Sequence, residues 1–283
     1  MKKSAAQPFT WPIIMVIVLL YAIAGVIVAW QVGPWTAVRQ VIINGLIVLA
    51  WLWSAHKILA DEAIPALPPI RQPAAELVYG FAIWCLAVAF AALWYAGVTW
   101  IPPTSVPVVM VGGVLALFLI RRYPPSALGL TKPTRRGWLA VTAVILVNFA
   151  AGALFQILPR DVQEASYAGD MAQQITGIGS VVLILLGLLL KAAIPEELLL
   201  RVTLQPRLAQ FVSLGWAILL QAALFSTAHL PQHLIGYQEP PLLALASLLP
   251  LDNGLIAGYL WHRTRSLPLL LLAHLFAFPR FGI

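Results

Sequence analysis

Apolar runs about the length of a membrane helix follow one another along this chain, and no polar stretch between them is long enough to make a separate aqueous domain. A helix rises about 1.5 Å per residue, so roughly 20 apolar residues cross the ~30 Å hydrocarbon of a bilayer. The runs fall at 11–32, 41–60, 77–99, 104–120, 137–157, 178–200, 213–230, 241–261 and 266–280. Helix is the expected conformation, because a segment in lipid must satisfy its own backbone N–H and C=O groups. The expected fold is all-α, a polytopic transmembrane helical bundle of eight or nine spans, eight if one short run only re-enters. Apolar residues are 61% of the 283 and charged residues 10%. Soluble domains stand near 45–50% and about 25%, so the lipid bilayer is the expected solvent.

The joints between runs carry the rest of the topology. Proline clusters at 65–73, 102–107 and 124–133 end helices where that costs least. Trp11, Trp30, Trp35, Trp94, Tyr95 and Trp100 sit near run ends, where amphipathic rings prefer the membrane interface. The net charge of +7 does not point to nucleic acid. Arg121, Arg122, Lys132, Arg135 and Arg136 crowd one joint, the footprint of a cytoplasmic loop, and no basic face is interleaved with aromatics. With the N-terminus in the cytoplasm, the inner joints also take Lys2, Lys3, Lys57, Arg71, Arg201, Arg207, Arg263 and Arg265. The outer joints keep Arg39 and Arg160 with Asp161, Glu164, Asp170 and Glu239. Met1-Lys2-Lys3 precedes a run too long for a cleaved signal, so the first run is read as a retained span. The one cysteine, Cys85, leaves no intramolecular disulfide and no cysteine-based metal site.

Ionisable residues inside such runs are costly and mark function by default. Four places qualify. In Ile194-Pro195-Glu196-Glu197-Leu198-Leu199-Leu200-Arg201, Glu197 and Arg201 stand four apart and share a helix face, which suits an ion pair. Glu196 is rotated by about 100° from that face and is left free to act as a base. In Phe225-Ser226-Thr227-Ala228-His229 the ring and the imidazole share a face; His233 follows beyond Pro231 in an expected loop. His274 lies in the middle of an apolar run. Asp252-Asn253 lie between the two histidines in sequence, either as packing polars or just ahead of a helix that starts at Gly254. The plain alternatives are a charged helix end for the glutamates and interhelical hydrogen bonds for the histidines.

Together these residues say more than they do singly. A glutamate pair and two histidines on three different late helices meet only inside a bundle. A carboxylate in a poorly solvated site holds its proton more tightly, which suits a general base near neutral pH. Histidines opposite it are placed to orient a water and stabilise an oxyanion. That equipment hydrolyses an amide without a covalent intermediate.

The order Glu-Glu-x-x-x-Arg, Phe-x-x-x-His, then a third motif headed by histidine resembles the CPBP family of intramembrane proteases, which includes the CAAX prenyl proteases and bacterial Abi proteins. Glu196, Glu197 and Arg201 match the first motif, Phe225 and His229 the second, His274 the third. Gly254-Leu-Ile-Ala-Gly258-Tyr-Leu and Leu128-Gly129-Leu130 add to the likeness, which covers roughly 120–280. It divides the chain into N-terminal transmembrane helices, 1–120, and a protease core, 121–283. The resemblance implies that Glu196 activates water, His229 helps hold it and His274 donates to the oxyanion, with Glu197 and Arg201 bracing the helix. It implies no cofactor; a zinc site built from Glu196, His229 and His274 is the competing reading. The implied partners are membrane-associated protein or peptide substrates in a bacterial cytoplasmic membrane.

The chain departs from the family pattern where Phe278 stands in place of an asparagine. Loss of one oxyanion donor costs about 2.7–4 kcal/mol of transition-state stabilisation, and Asn253 is the expected substitute. The competing functions are a catalytically impaired scaffold or immunity protein, which Phe278 favours, and a proton-coupled transporter, against which no inverted repeat is visible. One geometric conflict follows from the run boundaries: they put Glu196 and His229 near opposite ends of adjacent spans, roughly 30 Å apart.

Overall fold

The computed structural model describes residues 9–38, 41, 44–66, 69–157 and 178–277. Phe278 lies outside the described residues. The fold is all-α, with ten principal helices among the described residues. They are α1 Trp11–Gln31, α2 Asn44–Leu59, α3 Pro73–Tyr95, α4 Ser105–Ile120, α5 Arg135–Ile157, α6 over 178–208, α7 Leu214–Ala228, α8 Pro241–Leu248, α9 Asp252–Thr264 and α10 Leu267–Ala277. Four helical stretches are long and apolar enough to cross a membrane: Trp11–Gln31, Pro73–Tyr95, Leu214–Gly236 and Pro241–Thr264.

Each apolar run of the sequence carries helix, with two departures. The run at 178–200 continues as α6 to Leu208. The run at 241–261 is two helices, broken at Leu249–Leu251. Pro250 has no N–H to donate, and Leu251 takes the left-handed region at φ 54°. Hydropathy cannot see either effect, because every residue there remains apolar.

An apolar core is enclosed by a surface that is itself largely apolar. Large apolar side chains such as Val26, Leu49, Val78 and Leu119 face outward, as a lipid solvent requires. Glu76, Glu197, Arg201, Gln205, Gln221 and His274 are buried. At the centre lies α9, with Leu255, Ile256, Leu260 and Trp261 fully enclosed. Two glycines let it approach α7 closely. A Cβ at Gly254 would lie 2.5 Å from Ala222 Cα, and one at Gly258 would lie 2.6 Å from Gln221 Nε2. Close small-residue packing of this kind substitutes for the hydrophobic drive that lipid does not supply. Buried amides then fasten α9 to both neighbours: Gln221 Nε2 of α7 donates to Gly254 O at 2.7 Å, and Gln205 Nε2 of α6 to Gly258 O at 2.9 Å.

Candidate active site

Two prolines shape the helix that carries the glutamates. Pro195 and Pro206 lack the N–H that would reach back four residues, so the ladder of α6 is rewired around each. Wide π-type turns run over Leu189–Ala193 and Glu197–Leu204. Such turns commonly mark functional sites. The Val202 carbonyl, which Pro206 cannot serve, takes Arg207 Nη1 at 3.3 Å, and the Thr203 carbonyl takes it at 2.9 Å.

The length of α6 removes the expected separation of Glu196 from His229. A short turn at 209–213 joins α6 to α7, so the two helices run back alongside each other. Glu196 lies about twelve residues before the turn and His229 about sixteen after it, which puts both roughly 20 Å from it. Glu196 Oε1 is 3.9 Å from His229 Nε2, and Glu196 Oε2 is 3.7 Å from His274 Nε2. One carboxylate is therefore bracketed by two imidazoles, from the C-cap of α7 and from α10, at separations just beyond a direct hydrogen bond.

The other ring nitrogens fix which atoms face Glu196. His229 Nδ1 stands 2.9 Å from the Phe225 carbonyl, which only accepts, so Nδ1 carries a proton. His274 Nδ1 stands 2.8 Å from Glu197 Oε1, and Glu197 Oε2 is 3.4 Å from Arg201 Nε. A carboxylate paired with arginine accepts, so His274 Nδ1 also carries a proton. A neutral ring then offers a bare Nε2 toward Glu196; an imidazolium offers Nε2–H.

Accessibility grades across the group. The His229 side chain is 35% exposed, Glu196 18%, His274 6%, and Glu197 and Arg201 0%. Phe225 packs at the centre: its ring centroid is 4.6 Å from Arg201 Cζ, 5.0 Å from the His229 ring and 6.5 Å from the His274 ring. A cavity of about 560 Å³ opens beside the group, and Phe225, His229 and Asn253 line it together with His233 and Glu239. The Asn253 carbonyl accepts Arg201 Nη2 at 3.4 Å. Arg201 thus joins the glutamate helix to the first turn of α9. Among the described residues no three His, Cys, Asp or Glu side chains group as a metal site. Glu197 is turned to Arg201 and to the far side of His274.

Sequence reasoning paired Glu197 with Arg201 alone and missed its bond to His274, which depends on how α6 and α10 face each other. Glu76 falls one residue ahead of the apolar run at 77–99 and so escapes that reading. Glu76 is buried in the first turn of α3, with Arg207 Nη2 at 2.9 Å and Arg207 Nε at 3.0 Å. Tyr123 donates to the same carboxylate at 3.0 Å. Burial pushes the Tyr123 hydroxyl above the usual tyrosine range, which keeps it a donor. A carboxylate close to an apolar run, with arginines elsewhere to meet it, was the available signal.

Residues 178–277, which span α6 to α10 and hold every residue of the group, match the family model described as Rce1-like, type II CAAX prenyl endopeptidase. No curated protein and no solved structure matches the chain.

Proposed function

We propose that this chain is an intramembrane endopeptidase that hydrolyses peptide bonds of membrane-associated substrates with water activated by Glu196. The observation that carries the proposal is the bracketing of one partly accessible carboxylate by two imidazole Nε2 atoms. The family match of residues 178–277 points to the same reaction class. The proposal includes a bundle of eight or nine spans with the N-terminus in the cytoplasm, in which 121–283 is the protease core.

The steps follow from the donors and acceptors. A water held between Glu196 Oε1 and His229 Nε2 gives a proton to the carboxylate as its oxygen attacks the scissile carbonyl carbon. The new C–O bond places negative charge on the former carbonyl oxygen. His274, as an imidazolium, donates Nε2–H to that oxyanion, and the Glu197 carboxylate behind it holds the ring and balances its charge. Glu196 then passes its proton to the leaving nitrogen as the C–N bond breaks. The product is a carboxylic acid and an amine, and Glu196 is restored.

Comparing membrane peptide profiles of a native host carrying wild type or Glu196→Ala tests the reading. Removing a general base costs about 10²–10⁴-fold in rate, so substrate fragments should vanish in the variant. Identical profiles would sink the protease reading.

A further inference from the structure

The stripe Glu76, Gly80 and Trp84 repeats every four residues along α3, so the three stack on one face. The helix lies wholly outside the segment that matches the family model, yet this face meets that segment three times. Glu76 is held by Arg207 of α6. Gly80 lets the backbones of α3 and α6 close up, since a Cβ there would fall 2.8 Å from Leu204 Cδ2. Trp84 Nε1 donates to the Leu224 carbonyl of α7 at 3.0 Å. One face of α3 therefore fastens α6, which carries Glu196, and α7, whose C-cap is His229.

The Trp84 bond lands on the turn that fixes the imidazole. At the end of α7 the backbone tightens: His229 N donates to Ser226 O at 3.0 Å, three residues back. The Phe225 carbonyl, four residues back, is thereby left for His229 Nδ1. That bond decides which ring nitrogen carries the proton and aims Nε2 at Glu196. Leu224, one residue earlier, offers its carbonyl to Trp84 Nε1 from outside the helix and to Thr227 Oγ1 at 3.3 Å from within it. An indole anchored in a separate helix thus pins the turn from which the catalytic ring is hung.

We propose that Trp84 is a positioning residue for His229: through the Leu224 carbonyl it holds the last turn of α7 in the tightened form that keeps His229 in one tautomer. The proposal rests on the glutamate–histidine reading of the site, because the His229–Glu196 geometry is what Trp84 protects.

The test uses the full chain in lipid nanodiscs. Trp84→Phe keeps an aromatic ring and removes the N–H donor. A benzothienyl analogue at position 84, with sulfur in place of N–H, removes the donor at nearly constant volume and serves if the phenylalanine variant folds poorly. Leu86→Ala, on the lipid-facing side of α3, is the control. Imidazole ¹⁵N spectra, with His229 assigned by its loss in His229→Gln, read the tautomer directly; Tm and cleavage kinetics on a fluorogenic peptide tethered to the nanodisc lipid are read alongside. Wild type and Leu86→Ala should show His229 as a single Nδ1–H tautomer. Both donor-free variants should show mixed tautomers and a kcat lower by about five-fold, the scale of one neutral hydrogen bond, with KM and Tm unchanged. An unchanged His229 nitrogen spectrum in the donor-free variants overturns the proposal, as does a kcat loss fully matched by lost folded protein. A wild type that cleaves nothing defeats the protease reading, and the nitrogen spectra still decide the role of Trp84.

Discussion

His274 Nδ1 lies 2.8 Å from Glu197 Oε1, so the second glutamate of the pair holds the back of the imidazole whose front faces the first. Adjacent residues on one helix thus serve opposite sides of one ring. Glu197 also pairs with Arg201, and both side chains are fully enclosed.

This double duty separates folding from chemistry. Glu197→Gln should strand a buried guanidinium, at a cost of about 3–5 kcal/mol. Pairing it with Arg201→Met removes the stranded charge, so the double variant should melt higher than Glu197→Gln alone. Cleavage should stay low in both, because His274 has lost the carboxylate that holds the back of its ring. Melting curves in detergent with parallel cleavage assays check this; recovery of activity in the double variant would reassign Glu197 to a purely structural role.

Asn253 lines the cavity beside His229 and is tied through its carbonyl to Arg201. If its amide supplies the oxyanion donor that Phe278 lacks, Asn253→Ala should lower kcat by about 10²-fold, the low end for one such donor, with little change in KM. His274→Ala should abolish cleavage. Wild-type kinetics for Asn253→Ala would leave His274 as the oxyanion's donor without it.

Metal removal distinguishes two uses of the same atoms. A carboxylate facing two Nε2 atoms is also the donor type zinc accepts. The water mechanism predicts unchanged turnover after dialysis against EDTA and 1,10-phenanthroline. Loss of activity that returns on adding Zn²⁺ would replace Glu196 as base with a metal-bound hydroxide.

Close packing predicts a different kind of failure. Gly254→Val would drive a branched side chain into the Ala222 backbone, where even a Cβ has only 2.5 Å. It should prevent α7 and α9 from docking, and Gln221 would lose its bond to the Gly254 carbonyl. The expected readout is a loss of folded protein in size-exclusion profiles. A well-folded variant would show that this glycine is not what brings the helices together.

The buried ion pair at Glu76 should act on stability. Glu76→Ala leaves Arg207 without its 2.9 Å partner in an enclosed site, at a cost of about 3–5 kcal/mol. Thermal melts should show a large drop, and Arg207→Met in the same chain should restore part of it. No recovery would mean that Arg207 is held chiefly by the Val202 and Thr203 carbonyls.

What the sequence disclosed tracks what is local. The apolar runs marked the helices because composition and length decide them. Glu196, His229 and His274 stood out because ionisable groups in such runs are expensive. The Glu197–His274 bond was hidden, since it depends on the relative rotation of α6 and α10. The break before Asp252 had a signal in Pro250 that an apolar-run reading passes over, while the left-handed backbone of Leu251 leaves no mark in the sequence. The conflict over Glu196 and His229 dissolves because α6 runs on to Leu208 rather than ending at residue 200, which sets Glu196 deeper along the helix. The following turn is enclosed by neighbours and tolerates Arg201, Gln205 and Arg207.

That enclosure bears on how the protein is made. α6 carries Lys191, Glu196, Glu197, Arg201 and Arg207, and it is not among the four stretches apolar enough to cross a bilayer unaided. Each such charge near the hydrocarbon centre resists insertion by about 2.5–3.5 kcal/mol. On that count we expect α6 to insert together with α3, whose Glu76 meets its Arg207, rather than alone. The helix that carries Glu196 would then enter the membrane as a passenger of its neighbours.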